Sequence, residues 1–201
     1  MCLKTRYSQY DFEAGTDEAG RGCLAGPVTA AAVILPRDYF NNQLNDSKKL
    51  SAKKRHVLRN EIENNAISFG VSFIDNYEID LLNIANASIL CMQDALDKLK
   101  VAPDFVIIDG NYFKPYRNIP YQTIVKGDAK FLSIAAASIL AKTYRDEFMN
   151  QIADKYPKYG WQKNMGYPTL QHRQAIREFG ATEYHRKSFR LLPDPELPLN
   201  W

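Results

Sequence analysis

The 201-residue sequence has few of the residues that bind transition metals or cross-link small proteins. It contains three cysteines and three histidines, all widely spaced, and no Cys-x-x-Cys pair. No histidine lies three to five residues from another histidine or from a cysteine, which is the usual spacing of zinc ligands. Neither a disulfide framework nor a zinc site is therefore indicated, and any bound metal must be held by oxygen.

Long apolar runs are also absent. The longest nearly unbroken ones, residues 28–35 and 134–141, are much shorter than the roughly 20 residues that a spanning helix needs. The N-terminus has no apolar stretch followed by a small-residue cleavage site. We expect no membrane association, no secretory signal and a cytoplasmic location.

No internal repeat, Ser/Gly linker or long charge block divides the chain. Hydrophobic residues make up 45% of it, which is enough for a buried core. We expect one domain over residues 1–201. Its catalytic core would span about 11–155, with a helical and loop extension at about 156–190 and a tail at 191–201.

The net charge of +3 does not indicate a nucleic-acid partner by itself, but the charge is unevenly distributed. Residues 45–59 carry six basic side chains against one acidic, and residues 129–201 carry eleven against seven. Residues 60–128, between them, hold ten acidic and five basic side chains. A solvated helix face is the commoner explanation of one such run. Two basic segments around an acidic centre suggest a phosphate-binding surface.

Hydrophobic periodicity predicts an α/β fold. Strands are expected at residues 12–17, 28–35, 67–74, 105–108 and 121–126, the fourth being wholly apolar and buried on both faces. Ser51 is expected to cap a helix that reaches about residue 64 and buries Val57, Leu58 and Ile62. One long helix is expected over 76–100 and another over 133–155. The apolar positions of the 76–100 helix are Leu82, Ala85, Ile89, Met92, Leu96 and Leu99.

Four carboxylates stand at predicted strand ends: Asp17, Glu18, Asp109 and Asp128. Ligands of open α/β sheets gather at the carboxyl ends of the strands, and a carboxylate after buried residues is costly unless it is paired or bound to metal. Asp109 before Gly110 could alone be a turn residue. Four carboxylates at strand ends together favour a binding site for Mg²⁺ or Mn²⁺. Two such ions can activate water for phosphodiester hydrolysis.

The turn after the first strand is rich in glycine. The sequence of residues 15–22 is partly similar to that of a triphosphate-binding loop, but Arg21 and Gly22 replace the required Lys and Ser/Thr. Asp17 and Glu18 would also repel a triphosphate, so a nucleoside triphosphatase is rejected. The glycines can instead let the backbone approach a sugar, whose 2′-hydroxyl distinguishes RNA from DNA. A simple tight turn would need only one of them.

The motifs together resemble the type 2 ribonuclease H family, in particular bacterial ribonuclease HII. They run in the family's order from about residue 11 to residue 190. The motifs are TDEAGRG (16–22), LAGPV (24–28), NDSKKL (45–50), IDGN (108–111), KGD (126–128), SIAAASILAK (133–142), GYPT (166–169) and HRKSF (185–189).

The resemblance implies an RNase H-like fold, with a five-stranded mixed sheet flanked by helices and a small C-terminal helical extension. It implies an endonuclease that cuts the RNA strand of RNA/DNA hybrids and cuts 5′ of single ribonucleotides in duplex DNA, leaving 3′-hydroxyl and 5′-phosphate ends. The implied cofactors are Mg²⁺ or Mn²⁺, two per site with substrate bound, and the implied state is a monomer.

The resemblance also assigns roles to residues. The metal-binding catalytic quartet is Asp17, Glu18, Asp109 and Asp128, where Asp17 bridges the ions, Glu18 and Asp109 complete one site, and Asp128 serves the other. The nucleic-acid contacts are Gly20, Arg21 and Gly22 at the junction ribose, Tyr167 at the same nucleotide, and Ser47 and Lys48 at backbone phosphates. Cys23, Phe131, Leu132 and Tyr144 depart from the family pattern.

Two alternatives remain open. One is a hybrid-specific ribonuclease H that needs several consecutive ribonucleotides. The other is a non-catalytic hybrid-binding module whose acidic centre is a structural remnant, although the presence of all four carboxylates argues against it.

Overall fold

The computed structural model describes residues 3–44 and 50–193. These residues form a five-stranded sheet with the order β3-β2-β1-β4-β5. Strands β1 and β2 pair antiparallel, as do β2 and β3, whereas β4 pairs parallel with both β1 and β5. The strands are β1 (Glu13–Ala19), β2 (Val28–Ile34), β3 (Ser68–Ile74), β4 (Phe105–Asp109) and β5 (Tyr121–Ile124). The expected mixed sheet is confirmed, and all five predicted strands are present.

Six α-helices occur among the described residues. The first begins after Ser51, whose side chain accepts a hydrogen bond from the Lys54 amide as the sequence predicted. None of these helices is long and apolar enough to cross a membrane. The helices are α1 (Ala52–Asn65), α2 (Asn76–Leu82), α3 (Ile84–Asp97), α4 (Leu132–Lys155), α5 (Trp161–Asn164) and α6 (Leu170–Phe179).

Helices cover both faces of the sheet. Along β2, Ala30 and Ala32 pack in the cluster that contains α3, while Ala31 and Val33 pack in the cluster that contains α1 and α4. Strand β4 is likewise buried on both faces, as its apolar run predicted. A third cluster joins the end of α4 to the C-terminal helices around Trp161.

Helix α4 lies directly against β1. A Cβ atom placed on Gly15 would lie 2.4 Å from the backbone carbonyl carbon of Ser133, so only glycine permits this approach. The close packing brings the next turns of α4, including Ser138, to the edge of the sheet where β1 ends.

The prediction of one long helix over 76–100 is wrong. The chain breaks at Asn83, which has a φ of 62° and accepts hydrogen bonds from the amides of Ala85 and Asn86 to cap α3. Asparagine is among the best N-cap residues because its side-chain oxygen accepts from the first helical amides, so it starts a second helix. Leu82 and Ala85 are consequently exposed, while Ile89, Met92 and Leu96 are buried as predicted.

The prediction that Val57 is buried is wrong. Val57 is 58% exposed, although Leu58 and Ile62 of the same helix are buried. In β3 the apolar face that carries Phe69 and Val71 is only partly buried, and the small-residue face is the more buried one. The reason is that α3 packs very closely there, since a Cβ on Gly70 would lie 2.2 Å from the Ala95 carbonyl oxygen.

Candidate active site

The parallel pairing of β1 and β4 brings two of the carboxylates together. Thr16 pairs with Ile108, so Asp17 and Asp109 are the next residues along neighbouring strands, at the same edge of the sheet. Asp17 is only 5% exposed, and Asp109, the last residue of β4, is half-buried. The strands therefore present two acidic side chains side by side.

Asp17 lies in an environment that disfavours its negative charge. Burial, followed by the charges of Glu18 and Asp109, raises the pKa of Asp17 well above its ordinary value. Hydrogen bonds from Ser138 and from the Glu18 amide partly oppose this increase. Three carboxyl groups therefore act on one another here, and a cation placed among them would relieve their repulsion.

Glu18 continues β1 toward the glycine-rich loop. Its Oε1 accepts a hydrogen bond from Arg21 at 3.1 Å, and its side chain is largely buried while that of Arg21 is half exposed. Glu18 lines two cavities, one of about 180 Å³ beside the loop and one of about 70 Å³ beside Asp109 and Asn111. It thus lies between the carboxylates and the loop.

The turn that carries Asp128 is hydrogen-bonded to Asp109. Asp128 is 6% exposed, in a short 3₁₀ turn at Gly127–Ala129 that follows Lys126 in the left-handed conformation. The Gly127 amide donates a hydrogen bond to Asp109 Oδ1 at 2.6 Å. The turn that carries Asp128 is thereby held next to the end of β4.

The acidic residues are neighbours rather than a preassembled cage. Among residues 3–44 and 50–193, no three His, Cys, Asp or Glu side chains are already arranged as a metal-binding group. Glu18 is paired with Arg21, and Asp109 accepts from Gly127. The donor set nevertheless fits a hard divalent cation, because it consists of carboxylate oxygens and includes a buried Asp17 beside two like charges.

The larger cavity adjoins Glu18 and is walled by the loop. Its lining combines the loop backbone and a serine with one carboxylate, two cationic side chains and one aromatic ring. The lining residues are Glu18, Ala19, Gly20, Arg21, Gly22, Ser138, Lys142 and Tyr167. The expected ribose-contacting loop and Tyr167 therefore face the same space, next to the acidic centre.

Two buried arginines hold this loop in place. Arg145 donates hydrogen bonds to the carbonyl oxygens of Ala25, Pro27 and Met165 at 2.9–3.1 Å. Arg186 donates to the carbonyl oxygens of Arg21 and Gly26 at 2.9–3.0 Å.

Both arginines are fully buried, and sequence reasoning assigned neither a role. The only available signal was that Arg186 stands inside the HRKSF motif. Gly20, with a φ of 93°, accommodates Arg145, whose Nε would lie 2.1 Å from a Cβ at that position.

Tyr167 is 38% exposed and borders the cavity. The Lys142 ammonium lies 5.6 Å from its ring centroid, and Lys142 also donates to Asp146 at 2.6 Å. Asp146 in turn contacts Arg55 of α1 at 3.5 Å. The start of α1 is therefore linked to the cavity, whereas Ser47 and Lys48, the expected phosphate contacts, lie outside the described residues.

Comparison with known proteins decides the family. The ribonuclease HII family model matches residues 14–192. The chain is 62% identical over 181 residues to the ribonuclease HII of Christiangramia forsetii, covering 90% of this chain and 91% of that one. The chain belongs to the ribonuclease HII family. The expected enzyme class, a ribonuclease H endonuclease, is thereby confirmed.

Solved structures agree on the ribonuclease H fold. The ribonuclease H2 of Pyrococcus horikoshii superposes with a TM-score of 0.74 at 22% identity, covering 89% of this chain and 94% of that one. Bst-RNase HIII in complex with Mn²⁺ gives a TM-score of 0.68 at 19% identity, covering 90% of this chain and 67% of that one. The expected RNase H-like fold is confirmed.

The departures from the ribonuclease HII pattern lie in packed positions. Cys23 is fully buried, and its amide donates to the Gly20 carbonyl at 3.3 Å, which closes the loop. Phe131 packs with Ile107 and Ile134 in a core cluster. The Tyr144 hydroxyl donates to Glu63 at 3.0 Å, and the Arg59 guanidinium lies 3.6 Å from the Tyr144 ring centroid.

Proposed function

We propose that this ribonuclease HII cuts the RNA strand of RNA/DNA hybrids and also cuts 5′ of a single ribonucleotide embedded in duplex DNA. The products would carry 3′-hydroxyl and 5′-phosphate ends. The observation that carries the proposal is the position of Glu18, which follows Asp17 and lines both the cavity beside Asp109 and the cavity lined by Gly20–Gly22 and Tyr167. Chemistry and sugar recognition would thus be adjacent.

Two divalent ions, Mg²⁺ or Mn²⁺, would be held by Asp17, Glu18, Asp109 and Asp128. Support comes from the oxygen-only donor set and from the like charges that raise the pKa of buried Asp17. A structural neighbour, Bst-RNase HIII, is described in complex with Mn²⁺. When bound, such ions supply an activated water and stabilise the leaving 3′-oxygen of an in-line displacement.

The remaining groups would bind and orient the substrate. The loop backbone, kept in shape by Arg145 and Arg186, would contact the ribose 2′-hydroxyl, a group that DNA lacks. Tyr167 would contact the same nucleotide from the opposite wall. The ammonium of Lys142, which lines the same cavity, would attract the backbone phosphate. A ribonucleotide would then be recognised next to the bond that is cut.

The deciding experiment uses three end-labelled duplexes: all DNA, DNA with one ribonucleotide, and DNA with four consecutive ribonucleotides. We expect cleavage of the second and third with Mg²⁺ or Mn²⁺, none of the first, and a cut mapped 5′ of the single ribonucleotide. If the four-ribonucleotide duplex is cut and the single-ribonucleotide duplex is not, the protein is instead a hybrid-specific ribonuclease H that needs several consecutive ribonucleotides. Binding without any cleavage would support the non-catalytic alternative.

A further inference from the structure

Two histidines outside the acidic site are buried against each other. His172, in α6, and His185, near the C-terminus, are both fully buried, and their Nε2 atoms lie 3.2 Å apart. In the sequence they are 13 residues apart, and only His185 belongs to one of the motifs, HRKSF. Neither takes part in the proposed reaction.

The neighbouring groups determine which ring nitrogen carries each proton. The Thr182 amide donates to His185 Nδ1 at 2.8 Å, so the hydrogen of His185 must be on Nε2. His172 Nδ1 lies 2.9 Å from the Tyr167 carbonyl oxygen, which can only accept, so the hydrogen of His172 is on Nδ1. His172 Nε2 then accepts from Trp161 Nε1 at 2.9 Å and from His185.

These bonds form a one-directional chain: Thr182 donates to His185, His185 donates to His172, and His172 donates to the Tyr167 carbonyl. This series of hydrogen bonds requires both rings to be neutral. A proton on His172 Nε2 would point at the N–H donors of Trp161 and His185, so Nε2 could no longer accept from them. Burial lowers the pKa of both rings, to about 4 for His185, where His172 adds to the effect. Arg173 is a nearby charge that disfavours protonation of His172, and the Tyr159 ring packs against both histidines.

The series of hydrogen bonds ends at the Tyr167 carbonyl, on the segment that carries the Tyr167 side chain to the cavity. Next to it, the Leu24 amide donates to the Gly166 carbonyl at 2.8 Å. At the other end of these hydrogen bonds, His185 pairs with Ala25, three residues after Gly22 of the glycine-rich loop. The two histidines therefore connect both walls of the cavity, one made by the loop and one made by Tyr167.

We propose that His172 and His185 are positioning residues for substrate recognition: their neutral hydrogen-bonded pair holds Tyr167 at a set distance from the glycine-rich loop. The proposal rests on the proposed function, in which Tyr167 contacts the ribonucleotide. It assigns the pair no contact with substrate.

The first test is independent of activity. Nitrogen-15 spectra of the histidine rings at pH 7 should show His172 as the Nδ1–H tautomer and His185 as the Nε2–H tautomer. The Tyr167 ring resonances should shift in His172→Leu and stay in place in Ile176→Ala, which also removes buried contacts from α6. The opposite tautomers, or an unmoved Tyr167 ring in His172→Leu, would overturn the proposal even if the cleavage assay succeeds.

The second test is a double-mutant cycle on the single-ribonucleotide duplex. His172→Leu should lower kcat/KM about tenfold in the parent and less than about twofold in a Tyr167→Ala background, because coupled residues are not additive. His172→Asn, whose amide can replace the Nδ1–H donor, should restore part of the loss. Equal losses in both backgrounds would show that His172 acts only through stability. A parent that fails to cut this duplex would refute the proposed function, whereas the tautomer and ring-shift results would still decide the placement of Tyr167.

Discussion

Replacing Asp17 with asparagine should make the metal-free protein more stable while abolishing cleavage. Burial, then Glu18 and Asp109, raises the pKa of Asp17, so its ionised form destabilises the fold at neutral pH. Asparagine keeps the oxygen that accepts from the Glu18 amide and carries no charge. Removing a charge that burial and two like charges disfavour should raise the free energy of unfolding at pH 7 by about 1 kcal/mol, the usual size of a single-substitution effect.

The sign of the pH dependence follows from the same shift. Because the folded protein retains the Asp17 proton to a higher pH than the unfolded chain, the parent loses stability as pH rises from about 3.8 through the raised pKa. Asp17→Asn should lack this loss. For a protein of this size, 1 kcal/mol corresponds to about 2–4 °C in Tm.

The assay is thermal unfolding followed by circular dichroism in EDTA, between pH 4 and pH 8. Asp154→Asn, at an exposed position of α4, serves as the control and should leave Tm unchanged. Added Mn²⁺ should raise the Tm of the parent more than that of Asp17→Asn, because a ligand stabilises the state that binds it. An Asp17→Asn variant less stable than the parent in EDTA at pH 7 would refute the electrostatic account.

Three further outcomes are expected. Asp109→Asn should keep the fold and bind hybrid without cutting it; cleavage at the parent's rate would remove Asp109 from the site. Arg186→Met should cost about 2–4 kcal/mol in urea unfolding, because it leaves the Arg21 and Gly26 carbonyls unpaired, and an unchanged midpoint would contradict this. The parent should lose up to about 3 kcal/mol as pH falls from 6.5 to 4, because the pKa of buried His185 is lowered to about 4; His185→Gln should flatten that curve.

Much of the fold follows from local sequence pattern. Apolar alternation and short buried runs placed all five strands, and Ser51 marked the start of α1. The carboxylates at strand ends indicated an oxygen-ligand centre, and the ordered motifs indicated the family. These features are predictable because strand and helix periodicity depend on neighbouring residues.

Other features depended on how the elements pack. The apolar spacing over 76–100 suited a single helix, yet Asn83 caps a new one, and α3 buries the small-residue face of β3 instead of its apolar face. The local sequence pattern does not show how closely a helix and a strand approach each other. Here the absence of a side chain at Gly70 allows α3 to pack closely on β3.

The sequence by itself determined the strands, the acidic edge and the family. Only the tertiary structure decided that Arg186 reaches back 165 residues to Arg21, and that His172 meets His185 beneath Tyr167. The physical reason is that a buried polar side chain must find hydrogen-bond partners inside the fold. Those partners come from segments far apart in the chain, whose approach is set by the packing of the whole core.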